Sequence, residues 1–310
     1  MVVFVNRNLV SASDILHDAV KNKIAIGAFN FSNMETIQAI VAGANELNTP
    51  VILQASASAI SYIGFGYINA MISAASEESA VPLVLHLDHG KDFETCKKAV
   101  DNGFLSVMID ASSLDFEENI AMTKEVVEYA SKYGVSVEAE LGTLSGVEDE
   151  VSVAEGKAFY TDPNQAQEFI ERTGISSLAV AIGTSHGVNK GKTGNPRLSI
   201  ETLKKIKDKV GDFPLVLHGA SSVYADVVTK CNSYGADIQN AFGITDEDIR
   251  EAVQNGIAKI NVDTDIRLAY LGAVREYLAR NKSNIDMRKY LGAGRDMAKE
   301  MIKRRLKTFL

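Results

Sequence analysis

The chain has 310 residues, 46% of them hydrophobic and 23% charged, so it has room for two ordinary domains or one large α/β barrel and is too apolar to be disordered. Lysine and arginine total 32 against 40 for aspartate and glutamate, and the net charge of −8 excludes a nucleic-acid scaffold, which needs a clustered basic surface, leaving a small molecule as the expected partner. Two cysteines, Cys96 and Cys231, cannot build a disulfide framework, no apolar run approaches the roughly 20 residues of a membrane helix, and residues 1–7 lack a basic leader, so a soluble cytoplasmic protein without membrane partners is expected.

In chain order, short apolar and β-branched runs predict strands at 26–31, 50–56, 82–89, 106–111, 135–142, 177–183, 214–220 and 257–264. Segments with helical periodicity and charged faces lie between them, among them 34–47, 116–133, 165–172 and 246–255. Several end on a glycine just before the next strand (Gly103, Gly134, Gly174 and Gly256), the left-handed stop that a helix-to-strand connection needs. The strand runs are nearly continuously apolar, as parallel strands covered on both faces must be. No Pro/Ser/Gly-rich linker divides the chain, so the expected architecture is a single α/β domain over 1–310, an eight-stranded (β/α)8 TIM barrel. An open doubly wound sheet is the alternative, because pattern alone does not show closure. Two further helices, 266–279 and one from 285 to the basic run Lys303-Arg304-Arg305, make a C-terminal extension over about 266–310, and the basic run reads as a solvated helix terminus.

Chemistry in such barrels sits at the C-terminal strand ends, where apolar runs should turn polar. The third run ends His86-Leu-Asp88-His89-Gly90, the fourth at Asp110, the fifth at Glu138-Ala-Glu140, the sixth at Gly183-Thr-Ser-His186-Gly187, the seventh at His218-Gly219-Ala-Ser221 and the eighth at Asn261-Val-Asp263-Thr264-Asp265. Four of the five histidines fall at these ends, which scattered core histidines would not do; the fifth, His17, reads as a surface residue. Three imidazoles with one open position make a catalytic Zn²⁺ arrangement, useful as a Lewis acid for a carbonyl. His89, His186 and His218 are the expected ligands, each followed by a glycine that lets the backbone turn. His86 shares a strand face with Asp88, so His89 joins them only if the strand has ended there; His86 is an alternative metal position, a partner behind the ligands or a packed core residue.

Asp88 and Glu140 lack an obvious basic partner and can serve as proton donors, second-site ligands or orienters of imidazoles. The segment 142–150, with glycine hinges and the acidic tip Glu148-Asp149-Glu150, suits a mobile lid carrying a base, or a solvated acidic loop. The runs 218–221 and 261–264 close the seventh and eighth strands, where barrels commonly bind phosphate. Gly191-Lys192-Thr193 is not a P-loop, because His186 stands where its first glycine belongs, and Gly64-Phe-Gly66 has Asn69 in place of the third glycine of a dinucleotide fingerprint.

The strings Gly27-Ala-Phe-Asn-Phe31, Gln54-Ala-Ser56, His86-Leu-Asp-His-Gly90, Val107-Met-Ile-Asp110, Glu138-Ala-Glu-Leu-Gly142, Gly183-Thr-Ser-His-Gly187, Leu217-His-Gly-Ala-Ser221 and Asn261-Val-Asp-Thr-Asp265 closely resemble class II, metal-dependent fructose-1,6-bisphosphate aldolases, in order from about Gly27 to Arg288. The short inserts are more similar to the class IIB branch. The resemblance implies reversible cleavage of fructose 1,6-bisphosphate to dihydroxyacetone phosphate and glyceraldehyde 3-phosphate, in glycolysis and gluconeogenesis. It implies Zn²⁺ on His89, His186 and His218, with Asp110 and Glu140 at a second or buried metal position and a monovalent cation, Na⁺ or K⁺, as a further candidate. Asp88 would exchange the C4 hydroxyl proton, and Glu148 would shuttle a proton at the dihydroxyacetone carbon. Gly187, Gly219, Ala220, Ser221, Asn261, Val262, Asp263 and Thr264 would receive dihydroxyacetone phosphate, with Lys190 nearby. Asn30 is a further substrate contact, Ser56 would touch the glyceraldehyde 3-phosphate half and Arg267 its phosphate. Asp286 and Arg288 fit positions that reach a neighbouring subunit, which implies a homodimer or homotetramer.

Elementary chemistry agrees with this resemblance. Breaking a carbon–carbon bond beside a ketone leaves an enediolate whose charge must be stabilised, by a metal or by a Schiff-base lysine. Lys91 and Lys190 stand in polar loops and Lys259 lies early in its strand, so no lysine is expected desolvated at a strand end. Tagatose-1,6-bisphosphate aldolase is the near alternative, although that group usually carries a small uncharged residue where this chain has Asp263. A zinc hydrolase would need a His-x-His pair on the first strand, which has no histidine, and a non-catalytic barrel would be expected to have lost part of the metal set, which is intact.

Overall fold

The structure, a computed structural model, describes residues 8–142, 160–184 and 197–310, together with the backbone of short strands at 145–148, 151–153 and 185–186. Eleven strands occur among the described residues: β1 (Ile26–Asn30), β2 (Val51–Ser56), β3 (Leu83–Gly90), β4 (Ser106–Ile109), β5 (Ser136–Leu141), β6 (Ser145–Glu148), β7 (Val151–Val153), β8 (Ser177–Val180), β9 (Ser185–His186), β10 (Leu215–Leu217) and β11 (Ile257–Val262). The helices are α1 (Ala12–Asn22), α2 (Met34–Leu47), α3 (Ala57–Ile63), α4 (Phe65–Glu78), α5 (Phe93–Asp101), α6 (Phe116–Ala130), α7 (Pro163–Thr173), α8 (Ile200–Val210), α9 (Ala225–Ser233), α10 (Asp246–Gln254), α11 (Thr264–Arg280) and α12 (Met287–Phe309).

Eight strands close into a parallel barrel in the order β1-β11-β10-β8-β5-β4-β3-β2. Because β1 pairs with both β2 and β11, the open-sheet alternative is excluded, and the architecture is a TIM barrel with C-terminal helices. Helix starts follow from the sequence: Asn33 and Thr36 form a reciprocal capping box on α2, and Asp115 and Asp162 cap α6 and α7. Gly134 and Gly174 adopt the left-handed conformation at the helix ends, as their positions predict.

Strand alternation sorts side chains into two cores. Residues such as Leu53, Leu85, Leu87, Ala139 and Ile260 face outward into the layer between barrel and helices. Inside, α1 packs on Ile26, Ala28, Ile52, Val84 and Ala258, which fill the lower end of the barrel with apolar atoms. Above them the inward positions turn polar. Beyond β5, β6 and β7 form an antiparallel hairpin, and β6 also pairs in parallel with β9, so that Gly146 lies opposite His186. Among the described residues, no helix is long and apolar enough to cross a membrane.

The C-terminal helix departs from expectation. α12 packs along α11 and α2, close enough that a Cβ on Gly294 would lie 2.7 Å from the Tyr270 ring. Its basic run is not uniformly solvated: Arg304 is exposed, but Arg305 is wholly buried and paired with Asp246 and Asp265. The reading of Lys303-Arg304-Arg305 as a solvated terminus fails at Arg305, because the periodicity of α12 turns this position onto the barrel while Arg304 faces water and Lys303 is half-buried.

Candidate metal and catalytic site

The upper barrel interior gathers Asn30 from β1, Gln54 and Ser56 from β2, His86 and Asp88 from β3, Glu138 and Glu140 from β5, His218 after β10, and Lys259 and Asn261 from β11, all buried. His89 joins them because β3 ends irregularly. Its pairing with β4 shifts between Leu87 and Gly90, and His89 takes φ +50°, a left-handed conformation costly for a residue with a Cβ. Two adjacent residues, Asp88 and His89, thereby face one centre.

Two carboxylates fix the imidazoles. Nδ1 of His89 donates to Asp110 Oδ2 at 2.8 Å, and Nε2 of His218 donates to Glu138 Oε1 at 2.8 Å. Carboxylates only accept, so these are the protonated nitrogens. The remaining pair, His89 Nε2 and His218 Nδ1, face each other at 3.1 Å. Two lone pairs cannot point at one another; a proton or a cation must lie between them. Two nitrogens on a tetrahedral zinc ion stand about 3.3 Å apart. Asp88, His89 and His218 can place one ligand atom each within 4.8 Å of one another, as can His89, Asp110 and Glu140.

The electrostatics suit a divalent cation. Glu140 Oε2 is buried with no hydrogen-bond partner among the described residues. Burial, together with the charges of Asp110, Glu138 and Asp88, pushes the Glu140 carboxyl well above its ordinary value. Burial alone would lower the His89 imidazole, but the charges of Asp88, Asp110 and Glu140 outweigh it and raise the group to about 10. Burial lowers His218 and holds His86 well below its usual range. A crowd of buried carboxylates with one orphaned oxygen and two facing nitrogens is the donor set that a divalent cation neutralises.

Asp88 is held by three amides: Asn30 and Gln54 donate to its Oδ2 at 2.8 and 3.3 Å, and Asn261 donates to its Oδ1 at 3.1 Å. His86 points its Nδ1 at Ser106 Oγ, 2.8 Å away, and its Nε2 lies 3.5 Å from the Lys259 ammonium, so it stands behind the facing nitrogens and within neither group of ligand atoms. His17 is exposed, as expected. The side chains of Glu148 and His186 lie outside the described residues, although their backbones form β6 and β9; Gly187 and Lys190 lie outside them altogether.

At the rim, Gly219 is left-handed at φ +60°, Ala220 and Ser221 are buried, and Val262 faces the outer core. Asp263 is buried, precedes Thr264 at the start of α11 and binds Arg267 at 2.7 Å. Ser56 caps α3 and contacts Ser58. Asp286 caps α12 and pairs with the exposed Arg288 at 2.9 Å; among the described residues neither meets the histidine cluster.

Sequence reasoning missed several members. Lys259 is fully buried and sits 2.8 Å from Glu138 Oε2, so the expectation that no lysine is desolvated holds only for the strand ends. Glu138 emerges as the partner of His218, and Gln54 as a partner of Asp88. Asp265 accepts the Ser222 and Val223 amides at 2.9 and 2.7 Å and so shapes the loop after His218. The available signal was the polar i, i+2 pattern (Gln54/Ser56, Glu138/Glu140, Lys259/Asn261) inside otherwise apolar strands.

The chain is similar in sequence and fold to aldolases. Residues 10–310 match the family described as fructose-bisphosphate aldolase class-II. The chain is similar to a fructose-bisphosphate aldolase of Thermus caldophilus, at 48% identity over 301 residues, covering 97% of this chain and 98% of that one. It is 46% identical to the fructose-bisphosphate aldolase of Giardia intestinalis, covering 97% and 93% of the two chains. Among solved structures it resembles the YdjI aldolase of Escherichia coli K12, with a TM-score of 0.76, 33% identity and 97% of each chain covered. The chain therefore belongs to the class-II fructose-bisphosphate aldolase family and is a lyase of that class.

Proposed function

We propose that the protein catalyses the reversible, zinc-dependent aldol cleavage of D-fructose 1,6-bisphosphate to dihydroxyacetone phosphate and D-glyceraldehyde 3-phosphate, in glycolysis and gluconeogenesis. The observation that carries this reading is the meeting of two carboxylate-anchored imidazoles, facing at 3.1 Å, with an Asp88 carboxylate held by three amides. His89, His218 and His186 would hold the ion, with Asp110 and Glu140 serving a second position, and a bound Na⁺ or K⁺ would add to the charge balance. When bound, the divalent ion supplies a Lewis acid for the ketone oxygen and for the negative charge that develops beside it.

The chain's own residues handle the protons and the phosphates. Asp88 accepts the C4 hydroxyl proton in cleavage and returns one to the aldehyde in condensation; the amides of Asn30, Gln54 and Asn261 fix the direction in which its oxygens point. Glu148, on the hairpin paired to β9, moves the proton at the dihydroxyacetone carbon. Gly219, Ala220 and Ser221, with Asn261–Thr264, Gly187 and Lys190, bind the dihydroxyacetone phosphate half; Ser56 and Arg267 bind the other. Burial of the apolar lower barrel excludes water from beneath the reacting atoms.

A reducing cytoplasm is supported by Cys96 and Cys231, both buried free thiols. A homodimer or homotetramer is supported by Ile285 and Met287, 92% and 60% exposed beside Asp286 and Arg288. One barrel domain over 1–310 is supported by the packing of α11 and α12 on one another and of α12 on β1. Cleavage rates on the two C4 epimers test the substrate: kcat/KM should be higher for fructose bisphosphate, and a higher value for tagatose bisphosphate would assign the protein to the other sugar.

A further inference from the structure

The loop after β10 is clasped from outside the barrel by a single buried cation. Arg305, on the penultimate turn of α12, has no exposed surface. Its Nη2 donates to the carbonyl of Ala220 at 3.0 Å. Its Nη1 donates to Asp246 Oδ1 at 2.9 Å, to Tyr224 Oη at 3.1 Å and to Ser222 Oγ. Its Nε lies 3.5 Å from Asp265 Oδ2, and Asp265 in turn accepts the amides of Ser222 and Val223. The aromatic ring of Phe309, one helical turn further on, lies 5.0 Å from the guanidinium carbon.

This clasp fixes the orientation of a peptide plane. The peptide bonds are trans, so the carbonyl of Ala220 and the N–H of Ser221 point in opposite directions. With the carbonyl held toward α12, the Ser221 N–H is directed away from α12. Gly219 takes φ +60°, open to glycine, whereas Val223 is held at φ +47°, a left-handed conformation that a β-branched residue keeps only when its surroundings over-determine it. There is also no slack behind the loop. A Cβ on Gly243 would lie 2.1 Å from the Ser222 carbonyl carbon, and Ile244 N–H already binds the Ser221 carbonyl.

We propose that Arg305 is the positioning residue of the phosphate-receiving loop, holding Gly219–Ser221 in the conformation that binds dihydroxyacetone phosphate without itself touching substrate. The inference rests on the assignment of that loop to phosphate. A guanidinium serves here because its planar fork reaches a carbonyl and two carboxylates at once; an ammonium is a single point charge on a flexible stem.

The test compares wild type, Arg305→Lys, Arg305→Met, Asp246→Asn and Ser221→Pro, measuring the calorimetric Kd for dihydroxyacetone phosphate, KM and kcat for fructose bisphosphate, bound zinc per chain and melting temperature. Arg305→Lys should weaken dihydroxyacetone phosphate and raise KM about tenfold, with zinc stoichiometry unchanged and kcat altered much less. Asp246→Asn, which removes the negative charge facing Arg305 Nη1 while keeping an Oδ1 that can accept, and leaves the Asp265 and Ala220 contacts, should move Kd in the same direction by a smaller factor, and it carries the test if both arginine variants fail to fold. A fall in melting temperature with Kd and KM unchanged in the folded variants would overturn the proposal. If Ser221→Pro, which removes the backbone N–H, leaves Kd unchanged, the phosphate assignment of the loop fails; if Ser221→Pro weakens binding and neither Arg305→Lys nor Asp246→Asn does, the assignment stands and the role of Arg305 fails.

Discussion

His89 sits where three carboxylates favour its charged form and one neighbouring imidazole offers a lone pair. With its imidazole raised to about 10 from an ordinary 6.5, the group carries a proton at neutral pH in the metal-free protein. The sign of the linkage follows: the stability it contributes is complete below about pH 6.5 and is lost as pH rises toward about 10, because the folded state binds the proton that the unfolded state has released. A divalent ion must displace that proton to reach Nε2. The rise in melting temperature on adding Zn²⁺ should therefore be larger at pH 8.5 than at pH 6.5, and the metal-free protein alone should melt lower at pH 8.5; a zinc effect independent of pH would mean that His89 is not a ligand. Residues of this kind were legible where an apolar run turned polar, as at Asp88, His89 and His218. Lys259 and Arg305 were not. Lys259 owes its burial to Glu138, a partner across the barrel that only closure supplies, and Arg305 stands in a basic run beside Arg304, which does face solvent.

The decisive element is the end of β3. Strand alternation would send Asp88 and His89 to opposite faces, and the irregular pairing with β4 brings them together. Gly90 makes this possible, since a Cβ there would lie 2.6 Å from both Cys96 Sγ and the Met108 carbonyl oxygen. Met108 belongs to the neighbouring barrel strand and has little freedom to retreat. Gly90→Ala should cost about 1–3 kcal/mol, read as a lower denaturant midpoint, and should also reduce bound zinc by displacing His89. Wild-type stability together with full zinc content would show that the close approach is not what shapes the turn. All eight barrel strands were legible as apolar runs, but the run read as 177–183 ends as a strand at Val180. Ala181 and Ile182 beyond it stay buried, with the Ala181 N–H reaching the Leu141 carbonyl at 3.4 Å and the Ile182 carbonyl accepting from Ser199, so an apolar run marks burial more faithfully than it marks strand length.

At the scale of the whole molecule, closure of the barrel converts sequence-distant polar residues into one cavity, with apolar filling and α1 below it and the hairpin β6–β7 beside β9 above. Closure itself was not written in any local pattern; it follows from β1 finding β11 at a separation of over 200 residues. The same closure buries Lys259 next to Glu138, and so puts the rival chemistry, a Schiff-base lysine, inside the same barrel as the histidines. Fructose bisphosphate cleavage measured with and without a strong chelator separates the two. Loss of activity under chelator and its return with added Zn²⁺ is the predicted result. Full activity under chelator, with borohydride trapping substrate on a lysine, would contradict the metal mechanism.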